Sequence, residues 1–202
     1  MNRSVNSNPL RVPGRAGGRS ACARAVSLAM IAICLASGSA ADRSPFTAEE
    51  SHLKAAFLFH FVQLVDWPAG ALGADTSPLT LCTLGLDTFD DLEAVVSEKL
   101  IGTRPLRVVH LKQGQDTQAC HLLFVASGER TRVPLLLARL KGAPILTVGD
   151  TEDFVKQGGI IGFFLEGKKV RFEINLDASQ RAGLKISSRL LLLAKSVIGG
   201  RG

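Results

Sequence analysis

The sequence predicts an α/β fold: a mostly parallel, Rossmann-like sheet flanked by helices, with a C-terminal antiparallel hairpin and helix. Two observations support it. Short apolar runs alternate with helix-like segments, which is typical of parallel sheets with crossover helices. The runs are also apolar almost throughout, as expected for strands that are buried on both faces. They lie at residues 79–84, 106–111, 121–126 and 145–148.

Three helix signals surround these strands. Thr47 opens a capping box, and apolar residues at helical spacing extend the first helix to Asp66, before Trp67-Pro68. The apolar stripe of this helix is wider than a surface helix needs, so it is either buried on two sides or in contact with a partner. Thr88 opens a second helix to about residue 99, and the third covers residues 133–140. The link between residues 111 and 121 is too short for a crossover helix, so it is predicted to be irregular.

The C-terminal part changes to an antiparallel pattern. Strand-like runs at 160–165 and 170–176 are joined by a short link that contains Gly167, which predicts a hairpin. The second arm alternates apolar and polar residues, so one of its faces should be buried. Asp177 is predicted to cap a final helix that breaks near Gly183 and resumes over residues 188–198, where four leucines stand in a row.

The first 41 residues have the three-part pattern of a secretory signal peptide. Five arginines and no acid precede an apolar stretch, which ends in small residues around Ala40 and Ala41. About eleven apolar residues are too few to cross a bilayer, which needs roughly 20. We therefore expect an exported domain over residues 42–202. A transit peptide or a disordered basic arm is the alternative interpretation.

Charge and composition limit the possible functions. The 202 residues are 46% apolar, enough for a real core, which excludes a disordered chain. The net charge is +6, but beyond residue 41 there remain 19 basic and 18 acidic residues, a balance of +1. The basic character therefore belongs mainly to the predicted leader. Nucleic acid is not an expected partner.

Two cysteines, Cys82 and Cys120, remain after the predicted leader. In an oxidising compartment two thiols usually form one disulfide, which is the prediction here. A reactive thiolate or a metal ligand at Cys120, beside His121, is the alternative. No Cys-x-x-Cys pair and no second cysteine near Cys120 supports either role.

No residue set in the sequence proposes a catalytic mechanism or a cofactor. Gly85 stands between a strand and a helix but lacks the Gly-x-Gly-x-x-Gly fingerprint of dinucleotide binding. Asp150, Glu152 and Asp153 suggest a cation site, but acids are also common at a solvated helix start. The histidines, which lack ligand spacing, are His52, His60, His110 and His121. A binding or regulatory module is therefore expected rather than an enzyme.

Seven sequence blocks in order resemble the YfiR/HmsC-like family of periplasmic proteins, over roughly residues 50–198. One departure from the family pattern is His60, where asparagine is expected in most relatives. A second is the lack of another cysteine pair near residues 148–158. The blocks are LKAAFLFHF at 53–61 with VDWP at 65–68, LCTLG at 81–85, CHLLF at 120–124, ILTVGD at 145–150, GGII at 158–161, VRFEIN at 170–175 and LKISSRL at 184–190.

The resemblance implies a periplasmic repressor that binds the periplasmic sensor part of an inner-membrane diguanylate cyclase. It also implies capture by an OmpA-like outer-membrane lipoprotein, and a homodimer. The alternative is a periplasmic small-molecule sensor with its ligand near Gly85 and Gly149. The hairpin and the first helix are the candidate contact surfaces, because both show more apolar surface than one contact face needs. The candidate partner-binding residues are Phe164, Arg171, Glu173, Asn175 and Arg189.

Overall fold

The computed structural model describes residues 48–85 and 90–200. The predicted leader and the capping residues Thr47 and Thr88 lie outside these ranges. Among the described residues, none of the helices combines the length and the apolar character needed to cross a membrane.

The predicted parallel sheet is confirmed. The four central strands are mutually parallel and stand in the order β4-β2-β5-β6. After β2 the chain first adds β4 on one side, and then adds β5 and β6 on the other side, as in doubly wound folds. These strands are β2 (Leu79–Leu84), β4 (Arg104–Leu111), β5 (Leu122–Val125) and β6 (Leu146–Gly149).

The hairpin extends this sheet on the side of β6. Strand β7 (Ile161–Glu166) pairs parallel to β6 and antiparallel to β8 (Lys169–Asn175). The opposite edge is closed by β3 (Leu100–Ile101), which forms a second hairpin with β4 that the sequence pattern did not predict. As predicted, no helix links β4 to β5.

Helices cover the sheet. A 3₁₀ helix (Ser127–Arg132) leads directly into α3, whose Pro134 lies in the first turn, as predicted. The break near Gly183 is also confirmed, and this glycine has a φ of +70°. The α-helices are α1 (Ala48–Gln63), α2 (Asp90–Val96), α3 (Val133–Arg139), α4 (Leu176–Arg181) and α5 (Ser188–Leu193).

Two helix predictions were too long. The first helix stops at Gln63, and β1 (Val65–Asp66) pairs antiparallel with β9 (Lys185–Ile186). The last helix stops at Leu193, and β10 (Ser196–Ile198) adds to the sheet edge parallel to β8. β-branched residues favour strands, and in each case a neighbouring segment offers backbone partners that sequence spacing does not show.

The prediction that the strands are buried on both faces is confirmed for only part of the sheet. Strands β5 and β6 are buried at every residue and β2 at most of them. Strand β4 alternates between partly buried and exposed positions instead. Only the two-residue strand β3 separates it from the sheet edge, so less of the molecule covers it.

Helix α1 is buried on two sides, one of the two possibilities that its wide apolar stripe left open. It packs against the sheet and against α2. Phe57 and Phe61 contact the hairpin, with their ring centroids 5.6 and 5.0 Å from that of Phe172. Aromatic pairs of this kind contribute about 0.5–1.5 kcal/mol beyond the area they bury. The apolar surface of α1 is thus largely used inside the fold.

The predicted disulfide between Cys82 and Cys120 is present, with the two Cα atoms 5.7 Å apart. Cys82 lies within β2, and Cys120 lies two residues before β5, the neighbouring strand. Both are buried in a second apolar cluster, together with Val133 and Leu137 of α3. The bond therefore joins β2 to the segment that leads into β5, and it leaves no free thiol at either position.

The ring of Phe154 fills the space over two glycines. A Cβ atom at Gly149 or at Gly159 would lie within 3.0 Å of this ring, closer than real Cβ contacts come. We expect Gly159→Ala to lower the free energy of unfolding by about 1–3 kcal/mol, because the buried Phe154 ring must shift within the core to admit the methyl group. Urea denaturation measures the change.

Gly128→Ala is the matched control for this substitution. The nearest atom to its new Cβ, the Gly85 carbonyl oxygen, is 3.8 Å away, an ordinary contact. Its effect should stay within about 0.5 kcal/mol. Equal effects of the two substitutions would contradict the packing argument.

Candidate protein-interaction surface

The hairpin turn projects its residues at the edge of the molecule. Glu166 pairs with Lys169 across a two-residue turn, and Gly167 takes the positive φ of +63° that the first turn position requires. The alternation of the strands places Phe163 and Phe172 toward α1. Phe164 and its cross-strand neighbour Arg171 lie on the opposite face. Phe164 remains 36% exposed, which is unusual for a large aromatic side chain.

Glu166 ties this turn to the C-terminal segment. Its carboxylate accepts hydrogen bonds from Lys195 Nζ at 2.6 Å and from Arg171 Nε at 3.3 Å. The hydrogen bond from Lys195 lowers the pKa of Glu166, and Arg171 acts in the same direction. Lys195 lies two residues after the end of α5, so this contact brings the end of α5 close to the hairpin.

Helix α5 exposes half of its leucine run. Ser187 caps the helix by accepting a hydrogen bond from the Leu190 amide, and Leu190 is buried in the core. Leu192 and Leu193, however, are 86% and 65% exposed. Four consecutive residues of a helix cannot all face one side. The hairpin–α5 surface, as we define it, consists of Phe164, Leu165, Arg171, Arg189, Leu192 and Leu193.

Three of the five predicted partner-binding residues belong to the hairpin–α5 surface, and Glu173 and Asn175 do not. Phe164 and Arg171 lie on the outer face of the hairpin, whereas Arg189 is exposed on α5. Glu173 is partly buried and accepts a hydrogen bond from Ser196 of the edge strand at 3.2 Å. It therefore helps to attach β10.

Asn175 has a structural role instead. It is only 9% exposed, and its Oδ1 accepts a hydrogen bond from the Ala178 amide, so it caps α4. Its Nδ2 donates to the Val155 carbonyl at 2.8 Å. The residue predicted to cap this helix was Asp177, which lies in its first turn. Both side-chain groups of Asn175 are thus used within the fold.

A buried ion pair joins α1 to the end of β6. Lys54 Nζ lies 2.9 Å from Asp150 Oδ2, and the two side chains are 3% and 2% exposed. Burial lowers the pKa of Lys54 and raises that of Asp150, while their mutual attraction opposes both shifts. Asp150 thus holds the first helix on the sheet and is not an open ligand for a cation.

Side chains occupy the crevice at the carboxyl ends of the parallel strands. A Cβ at Gly85 would collide with Glu129, whose carboxylate also pairs with Arg132 at 2.8 Å. Phe154 covers Gly149. An acid beside Gly85 disfavours a phosphate there. Among the described residues, no group of three or more His, Cys, Asp or Glu side chains could hold a metal ion.

The sequence profile of the YfiR/HmsC-like family matches residues 51–195. The chain belongs to this family. Its members are periplasmic regulators of diguanylate cyclase signalling, and the resemblance carried by the sequence blocks is confirmed. No curated protein matches the sequence.

Two solved structures show a distant likeness to this YfiR/HmsC-like protein. A conserved domain protein from Vibrio cholerae O1 biovar eltor has a TM-score of 0.49 at 10% identity, covering 71% of this chain and 60% of that one. The ABC domain from Streptococcus pneumonia in complex with L-Trp has a TM-score of 0.48 at 13% identity, covering 71% and 62%. The chain therefore spans about three fifths of each. Likenesses this distant carry no information on function.

Two features of this YfiR/HmsC-like chain were not predicted from the sequence: the exposed side chains of Leu192 and Leu193, and the ion pair between Lys54 and Asp150. The signal for the exposed leucines was the run Leu190 to Leu193 itself, which exceeds what one helix face can bury. The signal for the ion pair was Lys54, which interrupts an apolar run, but nothing local points to Asp150, 96 residues away.

Proposed function

We propose that this protein represses a membrane-bound diguanylate cyclase by binding its periplasmic sensor part through the hairpin–α5 surface. Family membership supports the regulatory role. The observation that carries the contact surface is the exposure of Leu192 and Leu193 at the end of α5, which Lys195 links to the hairpin through Glu166. Exposed apolar side chains next to one another are typical of interaction sites.

The composition of this surface suits a regulated protein contact. Apolar and aromatic side chains supply the centre of most interfaces, and arginine is enriched among the residues that contribute most to binding. Arg171 and Arg189 supply such a charged rim here. An OmpA-like outer-membrane lipoprotein that takes up the same surface would release the cyclase by competition. The active form is proposed to be an exported homodimer.

The substitution pair Leu192→Glu with Leu193→Glu tests this proposal. Two carboxylates at the centre of an apolar contact should abolish it, because their desolvation is costly. We expect cyclic-di-GMP and surface attachment to rise to the level of the gene deletion. The variant should also fail to crosslink to the cyclase in intact envelopes.

Leu135→Glu is the matched control, since Leu135 is also an exposed leucine, at 61%, but lies on α3. It should leave cyclic-di-GMP at the wild-type level. Circular dichroism and the melting temperature would show that both proteins are folded. Wild-type repression by the folded Leu192→Glu, Leu193→Glu variant would exclude this surface, and unchanged cyclic-di-GMP on gene deletion would contradict the function itself.

A periplasmic small-molecule sensor is the second candidate function. The observation that favours it is a pair of clefts of about 320 and 620 Å³, both within the size range of ligand sites. A metabolite that binds only the folded state would raise the melting temperature by mass action. A strong shift together with an unchanged cyclic-di-GMP level in the deletion strain would favour the sensor over the repressor.

A further inference from the structure

The smaller cleft, of about 320 Å³, lies between the end of α3, the loop after β6 and α4. Its floor is apolar and consists of side chains that are buried in the fold. At this volume it suits a small molecule of a few to about a dozen heavy atoms. The floor residues are Leu137, Ile145, Ile160, Ala178 and Ala182.

The charged residues that line this cleft are both cations. Lys141 follows α3, and Arg181 ends α4, so they approach the cleft from two different elements. Both are exposed, and neither forms an ion pair within the described ranges 48–85 and 90–200. In the part of the chain that the structure describes, no aspartate or glutamate lines the cleft.

Two uncharged polar residues complete the lining. Thr147 Oγ1 accepts a hydrogen bond from the Ile160 amide at 3.1 Å, and the hydroxyl keeps its own hydrogen for a further acceptor. Gln157 Nε2 donates to the Glu152 carbonyl at 3.2 Å and has a second N–H. The lining therefore offers hydrogen-bond donors and positive charge above an apolar floor.

We propose that this cleft binds a small organic carboxylate with an apolar body. The apolar body covers the floor, and the carboxylate lies between Lys141 and Arg181. A guanidinium pairs with a carboxylate through two parallel hydrogen bonds, which gives geometric selectivity as well as attraction. Inorganic phosphate fits less well, because it would leave the apolar floor in contact with water. This proposal does not rest on the repressor function.

A simpler role for the two cations also exists. Lys141 and Arg181 stand near the C-terminal ends of short helices, where positive charge stabilises free carbonyl groups. In that case their removal would lower stability, and no ligand would be involved. A binding measurement separates the two roles.

Three probes that share one ring and differ in charge make the test specific. They are phenylacetate, its neutral amide phenylacetamide, and the cation phenethylammonium, each titrated while backbone amide resonances are followed by NMR. We expect saturable shifts at cleft residues with phenylacetate and about tenfold weaker binding of the other two. The aliphatic acid 3-methylbutanoate should bind at the same residues.

Lys141→Gln with Arg181→Gln should weaken phenylacetate binding about tenfold and leave phenylacetamide binding unchanged. Arg107→Gln with Lys112→Gln removes two exposed cations outside the cleft and is the matched control. The absence of saturable shifts with both acids overturns the proposal. So does equal binding of the three ring probes, or unchanged phenylacetate affinity in the Lys141, Arg181 variant. If the wild type binds none of the probes and the Lys141, Arg181 variant melts at a lower temperature, the two cations only stabilise the ends of their helices, and the proposal is overturned.

Discussion

Replacing Asp150 with asparagine is expected to lower the free energy of unfolding by about 3 kcal/mol at pH 7, because the buried Lys54 ammonium loses its hydrogen-bonded carboxylate. The attraction of Glu50 remains and limits the loss. Urea denaturation of the folded variant measures the effect. The neighbouring surface pair between Arg130 and Glu152 is the control, since both side chains are largely exposed. Glu152→Gln should change stability by less than about 1 kcal/mol.

The pH dependence of the Asp150→Asn variant gives a sharper signature. Burial already lowers the pKa of Lys54, and removal of the carboxylate that opposes this shift should lower it further. A lysine whose pKa is lower in the folded state binds fewer protons there than in the unfolded state, so stability rises with pH up to the unfolded value of about 10.4. The difference in free energy of unfolding between the variant and the wild type should therefore shrink between about pH 7 and pH 10. A difference that is constant over this range would contradict the explanation by burial of charge.

Replacing both partners tests whether the pair itself stabilises the fold. The variant Lys54→Met with Asp150→Leu removes both charges of this pair. Methionine is close to lysine in volume, and leucine keeps the branched shape of aspartate although it is larger. Because desolvation of a buried pair can outweigh its attraction, we expect stability within about 1–2 kcal/mol of the wild type, or above it. A loss in the double variant as large as in Asp150→Asn would mean that the pair is a net source of stability.

Removal of the disulfide should have the largest effect of all. For a sequence separation of 38 residues, the chain-entropy model gives about 4 kcal/mol of stabilisation from restriction of the unfolded chain. That is a large part of the 5–15 kcal/mol typical of a folded domain. We expect Cys82→Ala with Cys120→Ala to lower the free energy of unfolding by about this amount. Urea denaturation measures the loss.

Reduction of the wild-type protein distinguishes the stabilisation that comes from the crosslink from the stabilisation that comes from the packing of the sulfur atoms. The reduced protein keeps both sulfur atoms, so most of its loss reports the crosslink alone, whereas the alanine variant also loses buried contacts. Mass spectrometry of the exported protein should find it two hydrogens lighter than the reduced form. Labelling of free thiols in the native protein, or a loss below about 1 kcal/mol on reduction, would refute this account.

The limits of sequence prediction show at particular residues. The strands and the hairpin were predictable because apolar runs and a glycine turn are local patterns. The extent of the last helix was not, because residues 196–198 become a strand only where β8 offers free backbone groups. Asn175 appeared available to a partner because its position alternates with buried residues, yet two neighbouring segments use both of its polar groups.

The sequence alone determined the α/β class, the position of the central strands, the disulfide pair and the YfiR/HmsC-like family. These depend on residue order, on local periodicity and on the presence of only two cysteines after the predicted leader. The tertiary structure decided which leucines stay exposed, that Lys195 joins α5 to the hairpin, and that Lys54 meets Asp150. The physical reason is that these features depend on contacts between residues 29 to 96 positions apart, and only the folded chain brings such residues together.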